Sequence, residues 1–272
     1  MSMKDFSLEG KIALVTGAGR GMGKTIATTL AEAGADIIAV ARTAKEIEQT
    51  AKDVQNLGRR AIAISTDISQ SDQVDVMAKQ AMDEFGRVDI LVNNAGVALV
   101  KPLVPLPGYK PPGGIEKWPE YQTALSDQQW YQMLNINFSG PFFVMRALVP
   151  QMLERKWGRV INVTSASALR TGRFIVAYEA TKGGLITLTR TLAAEWARYN
   201  VTVNSIAPGF FLTPMTTEAY ENPQYRQSLL NKVPMRKAGD VRELGVLAVY
   251  LACDASSYLT GQVIGIDGGM TL

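Results

Sequence analysis

The chain has 272 residues, 47% of them hydrophobic and 19% charged, with a net charge of +3. That composition points to an ordinary water-soluble globular protein, and the scattered Lys and Arg residues argue against nucleic-acid or membrane partners. With no histidine and Cys253 as its only cysteine, it can build no internal disulfide and none of the usual zinc sites, so no metal site is expected. Met1 to Lys11 has no apolar core of signal-peptide length, and the longest apolar runs are about strand length, so a cytoplasmic location is expected.

Lys11 to Thr16 (KIALVT) is a short continuous apolar run, the mark of a strand buried on both faces. Gly17-Ala18-Gly19-Arg20-Gly21-Met22-Gly23 follows it and opens a helical pattern through Ala33. A strand, a glycine turn and a helix N-terminus together make an anion site, because backbone N–H groups and the helix dipole both favour phosphate. The spacing is Thr16-Gly17-x-x-x-Gly21-x-Gly23, not G-x-G-x-x-G, whose third glycine would have to stand at Met22.

Asp36 to Ala41 (DIIAVA) reads as the second strand. In a dinucleotide fold an acidic residue at its far end would bind the ribose 2′-OH. Here that end reads Val40-Ala41-Arg42-Thr43, and Asp36 stands at the wrong end. Arg42, with Arg20 from the glycine turn, would meet a 2′-phosphate, which favours NADP(H); NAD(H) is the alternative. Thr43 and Glu46 have the spacing of a capping box for a helix reaching about Leu57. Ala61 to Thr66 is strand three. Asp67 and Ile68 follow at the sheet edge where ligands bind, and Asp67 either accepts from an adenine amino group or caps the turn. Ser71 to Phe85 is a helix and Val88 to Val92 strand four, so the alternation implies a doubly wound parallel sheet.

After Asn93-Asn94-Ala95-Gly96 comes an irregular, proline-rich insert, Ala98 to Leu125, in which Lys101, Tyr109, Lys110, Trp118 and Tyr121 would face the ligand side. An oligomer contact or a passive excursion is the competing reading of that insert. Ser126 caps a long helix carrying Asn137 and continuing past Pro141. Arg159 to Thr164 is strand five, with Ser165 and Ser167 at its exit. A helix from the Tyr178 region to about Arg198 and strand six, Thr202 to Ile206, follow. Thr213 to Lys237 is polar and proline-punctuated and would cover the pocket. Asp240 caps the next helix, and Val263 to Ile266 is strand seven.

If the chain is an enzyme, the absence of histidine means that another group must move protons. Tyr178 and Lys182 stand four residues apart, on one face of a helix. A nearby ammonium favours the phenolate and would lower the tyrosine from its usual ~10. A Tyr/Lys pair at that spacing is also what a plain solvated face presents, so the surrounding motifs decide between the two.

In their order along the chain, the motifs Thr16-Gly17-x-x-x-Gly21-x-Gly23, Asp67, Asn93-Asn94-Ala95-Gly96, Asn137, Ser165, Tyr178-x-x-x-Lys182, Pro208-Gly209 and Asp267-Gly268-Gly269 resemble the short-chain dehydrogenase/reductases of about 250 residues. The resemblance implies a single-domain α/β protein with a doubly wound, seven-stranded parallel sheet of the Rossmann type. It implies hydride transfer between NADP(H) and a carbonyl or secondary alcohol. In this family pattern Tyr178 gives or takes the substrate proton, Ser165 (with Ser167 its rival) hydrogen-bonds the reacting oxygen, and Lys182 holds the nicotinamide ribose. Asn137 either holds a relay water or simply packs. Asn94, Ala95 and Gly96 support the sheet beneath the cofactor, Thr213 and the backbone near Phe211 bind the carboxamide, and Pro208 and Gly209 are cofactor-binding as well. A homodimer or homotetramer is implied as well. The insert is longer than the family's usual connection, which leaves the substrate open. An NAD-dependent sugar or polyol dehydrogenase is the rival enzyme, and a non-catalytic dinucleotide scaffold or redox sensor the rival class.

Overall fold

The computed structural model describes residues 3–110, 119–213, 221 and 223–272. Seven parallel strands form one sheet: β1 (Ile12–Thr16), β2 (Asp36–Ala41), β3 (Ala61–Ser65), β4 (Ile90–Asn93), β5 (Gly158–Val163), β6 (Val201–Pro208) and β7 (Val263–Ile266). Their order is β3-β2-β1-β4-β5-β6-β7. Between them run α1 (Gly21–Glu32), α2 (Ala44–Asn56), α3 (Ser71–Phe85), α4 (Asp127–Leu134), α5 (Gly140–Arg155), α6 (Val176–Trp196), α7 (Pro223–Asn231) and α8 (Val241–Ala252). The doubly wound single-domain α/β fold expected from the alternation is the one observed.

The β1 to β3 run winds one way from the middle of the sheet and the β4 to β7 run the other. The exits of β1 and β4 therefore diverge and leave a crevice at their C-terminal ends, the topological switch point of such sheets. Two apolar layers fix this arrangement. On one face Ile26 and Leu30 of α1, Ile47 and Val54 of α2 and Leu244 and Leu251 of α8 close over the sheet. On the other, Val74 and Met77 of α3, Val144, Leu148 and Met152 of α5 and Ala193 of α6 do the same. Strands β1, β4, β5 and β6 are buried throughout; β1 accordingly reads as an almost continuous apolar run, while β5 and β6 also bury Arg159, Asn162, Asn204 and Ser205.

Two local expectations change. Thr43 is the N-cap of α2, but its side chain makes no cap bond. The Glu46 carboxylate, which a capping box would turn back to Thr43, lies instead toward Arg20. The helix expected from Ser126 is also not continuous. Ser126 and Gln129 form a true capping box at its start, but a π-helical turn, Asn135–Ser139, separates α4 from α5. Pro141 has no N–H to give the Asn137 carbonyl, so the ladder widens there.

Candidate active site

The glycine turn is held from below by the exit of β4. The Thr16 hydroxyl accepts from the backbone N–H groups of Asn94 and Ala95, both at 3.1 Å. The Asn94 amide donates back to the carbonyls of Thr16 (3.0 Å) and Gly17 (3.3 Å). Gly17 has φ +67° and Gly21 φ +55°, the left-handed region in which only glycine sits without strain. At Gly23 a Cβ would lie 2.2 Å from the Gly17 carbonyl oxygen, so the third glycine is required by close packing. The N-cap of α1, Arg20, makes no side-chain cap bond to the first turn of the helix.

At the outer end of the crevice Arg42 is exposed, and its carbonyl accepts from the Ser65 hydroxyl at 3.0 Å. Arg20 is 71% exposed and lies 3.6 Å from the Glu46 carboxylate. Asp36 is far from both, ion-paired to Arg59 (3.2 Å) and Arg60 (3.0 Å) at the opposite end of its strand. Asp67 does cap its own turn: one carboxylate oxygen accepts from the Ser69 N–H (3.0 Å) and hydroxyl (2.7 Å). Ile68 is buried against Gly140.

The central cluster joins β5, α6 and the π turn. Lys182, only 3% exposed, reaches down from α6 and donates to the Val163 carbonyl at the end of β5, 2.8 Å away. Burial lowers its ammonium to a pKa of about 8. The amine lies 5.8 Å from the centre of the Tyr178 ring. Tyr178 is itself raised from its ordinary value by the loss of water around it, with a hydrogen bond to Ser165 acting the other way. The expected acidification of the phenol by Lys182 is thus reversed in the protein alone. The ammonium donates to the Val163 carbonyl, and the loss of water around the phenol is the larger effect on it. Ser165, rather than Ser167, is the hydroxyl that meets the phenol; Ser167 lies behind it, with its oxygen 2.9 Å away and its N–H at 3.2 Å.

Asn137 is fully buried. Its amide oxygen accepts from the Val97 N–H (2.9 Å), and its amide nitrogen donates to the Val97 carbonyl (2.8 Å) and the Thr181 hydroxyl (3.3 Å). The packing reading of this side chain is therefore satisfied, and it clamps the chain just beyond Gly96. A Cβ on Gly96 would lie 3.3 Å from the Asn137 amide oxygen and 3.4 Å from the Lys182 amine, so these three residues converge on one point.

Pro208 ends β6, and Gly209 donates to the Ile266 carbonyl at 2.9 Å, with the Asp267 backbone packed against its α-carbon. Phe211 and Thr213 are buried next along the chain. A cavity lies here, lined in part by Phe211, Met235, Ile266 and Gly268; neither Ser165 nor Tyr178 lines it. The described part of the proline-rich insert touches the segment before α6: the Lys101 N–H donates to the Phe174 carbonyl, four residues before Tyr178. The rings of Tyr109 and Tyr121 stand 4.9 and 4.7 Å from that of Phe174. Lys110 lies at the surface, while Trp118 falls outside the described residues. Of the expected covering segment at 213–237, residues 214–220 and 222 also fall outside, and α7 occupies most of the rest.

Sequence reasoning did not single out the Val163 carbonyl, Thr181, Phe174 or the Glu46 carboxylate as parts of this region. Only Glu46 carried a signal, and its spacing from Thr43 suggested a different job. Among the described residues, no group of His, Cys, Asp and Glu side chains is arranged to hold a metal ion, and no helix is long and apolar enough to cross a membrane.

Residues 11–224 match the family model for short chain dehydrogenase. The chain is 33% identical over 265 residues to the 3-oxoacyl-[acyl-carrier-protein] reductase FabG of Thermotoga maritima, covering 97% of this chain and 99% of that one. It is 33% identical over 270 residues to the 2-dehydro-3-deoxy-D-gluconate 5-dehydrogenase of Escherichia coli K12, covering 99% and 98%. The crystal structure of a gluconate 5-dehydrogenase from Burkholderia cenocepacia, in complex with NADP and tartrate, superposes with a TM-score of 0.88 at 32% identity, over 100% of this chain and 99% of that one. The chain belongs to the short chain dehydrogenase family and is an oxidoreductase.

Proposed function

We propose that this protein transfers hydride between NADP(H), bound across the crevice, and a carbonyl or secondary-alcohol substrate. The residues present fit the dinucleotide. The left-handed glycines and the start of α1 suit a pyrophosphate, and two arginines flank the outer end, where the C-terminal end of β2 carries no carboxylate. Gly17, Arg20, Gly21, Met22 and Gly23 would hold phosphate, Arg20 and Arg42 the ribose 2′-phosphate, and Asp67 and Ile68 the adenine edge. Gly96 would face the nicotinamide ribose over Asn94 and Ala95. Pro208, Gly209, Phe211 and Thr213 would hold the carboxamide end.

The cofactor, when bound, supplies the hydride. The chain's own part is positional and protic. Ser165 orients the reacting oxygen, and the Tyr178 phenol, kept neutral by its surroundings, gives up its proton as charge develops on that oxygen. Lys182 holds the ribose and carries positive charge beneath the phenol, and Asn137 keeps Val97 and Gly96 in place behind it. The observation that carries this reading is the buried Lys182 under a phenol hydrogen-bonded to Ser165.

The test is NADPH-dependent reduction across a panel of ketones and keto acids, with Tyr178→Phe as control. Full activity in that variant would end the proton-donor assignment. A sugar-acid or polyol substrate, with NAD(H) as the rival cofactor, is the second reading, supported by the gluconate-type names of two of the relatives above. A cytoplasmic location and a homodimeric or homotetrameric assembly complete the proposal.

A further inference from the structure

We propose that Glu46 sets the balance between the two nicotinamide dinucleotides, by occupying Arg20 and by placing a carboxylate at the ribose end that β2 itself lacks. The inference rests on the dinucleotide reading above.

Helix α2 presents three polar side chains at positions 46, 50 and 53, one face of a helix, to the glycine turn and the first turn of α1. The Thr50 hydroxyl donates to the Ala18 carbonyl at 2.9 Å, and Asp53 pairs with Lys24 at 2.7 Å. Glu46 is the outermost of the three. Its side chain lies over Gly19, where a Cβ would come 2.8 Å from the Glu46 Cβ, and its carboxylate stands 3.6 Å from the Arg20 guanidinium. The carboxylate is thus fixed by packing at one end and by charge at the other, and it is 35% exposed against 71% for Arg20. It also occupies the first turn of α2, which Thr43 leaves without a side-chain cap and where negative charge is favoured.

A 2′-phosphate held by Arg20 and Arg42 would have to share Arg20 with this carboxylate and lie beside a like charge. A 2′-hydroxyl meets no such penalty and can donate to Glu46. The arginines therefore favour NADP(H), Glu46 moderates that preference, and both cofactors are accommodated.

Kd values for NADPH and NADH, measured by nucleotide fluorescence on the wild-type chain, Glu46→Gln, Arg20→Ala and the double variant, test this directly. Glu46→Gln should tighten NADPH by about three- to ten-fold, the scale of one partly screened ion pair, while NADH holds or weakens. The gain should shrink at high salt and vanish in the Arg20→Ala background. If both nucleotides bind but their ratio is unmoved by Glu46→Gln, or moves equally without Arg20, the role given to Glu46 is overturned and the dinucleotide reading stands. If neither nucleotide binds the wild-type chain, both fall.

Discussion

A lysine ammonium buried at the foot of a helix with one carbonyl partner, as at Lys182, is less stable as a cation than in water. Its pKa of about 8 in the folded chain stands below its ordinary 10.5. Between those values the unfolded chain binds the extra proton, so this group makes stability rise as pH rises from about 8 to 10.5. Below about 8 its full cost, on the order of 3 kcal/mol, is present. Wild type should therefore gain stability relative to Lys182→Met across that window in chemical denaturation; parallel curves would show the amine to be solvated. The same variant should lose turnover if Lys182 holds the ribose as proposed above. Tyr178→Phe should lower kcat by about 10²–10⁴-fold, the usual worth of a placed proton donor, with the NADPH Kd changed little. An equal loss in nucleotide binding would instead make the phenol a binding group.

At the scale of elements, the site depends on how closely β1 and β4 can leave the sheet together. Gly23 packs on the Gly17 carbonyl, and Asn94 spends its amide on the same turn. Gly23→Ala should cost about 1–3 kcal/mol by overpacking and weaken both nucleotides, since the turn must open to admit the methyl group. Thermal melts with and without NADPH would read both effects, and an unaltered melt would refute the packing argument. The π turn is the second such device. Asn137→Ala leaves the Val97 N–H and carbonyl without their partner and should cost about 1–3 kcal/mol. A polar ladder also ties the strands to α6: Asn93 donates to Asn162 across β4 and β5, and Asn162 to Thr189 of α6, each at 2.9 Å. These bonds set the depth at which Tyr178 and Lys182 sit.

For the molecule as a whole, the apolar surface is uneven. Tyr131 on α4 and Phe142 on α5 are well exposed, on the helices flanking Asn137. In the homo-oligomer proposed above, a second copy seated here would cover these rings. Sedimentation at micromolar concentration should show a dimer or tetramer, and Tyr131→Glu with Phe142→Glu should shift it to a smaller species. A wild-type monomer would end that proposal.

The order of strands and helices, the glycine turn between β1 and α1 and the Tyr178-x-x-x-Lys182 pair on one helix were all legible in the amino-acid sequence. Buried parallel strands announce themselves as apolar runs, and a turn that needs left-handed backbone needs glycine at fixed spacing. The Thr43–Glu46 spacing misled, since a carboxylate three residues past an N-cap has two partners to choose between. Which one it takes depends on Arg20, a residue on another element. The direction of the Tyr178 shift, the acceptor of Lys182, the break at Asn137 and the contact of the insert with Phe174 likewise belonged to tertiary structure alone. Desolvation and long-range hydrogen bonds are properties of what surrounds a group in space, and neighbours along the chain do not specify them.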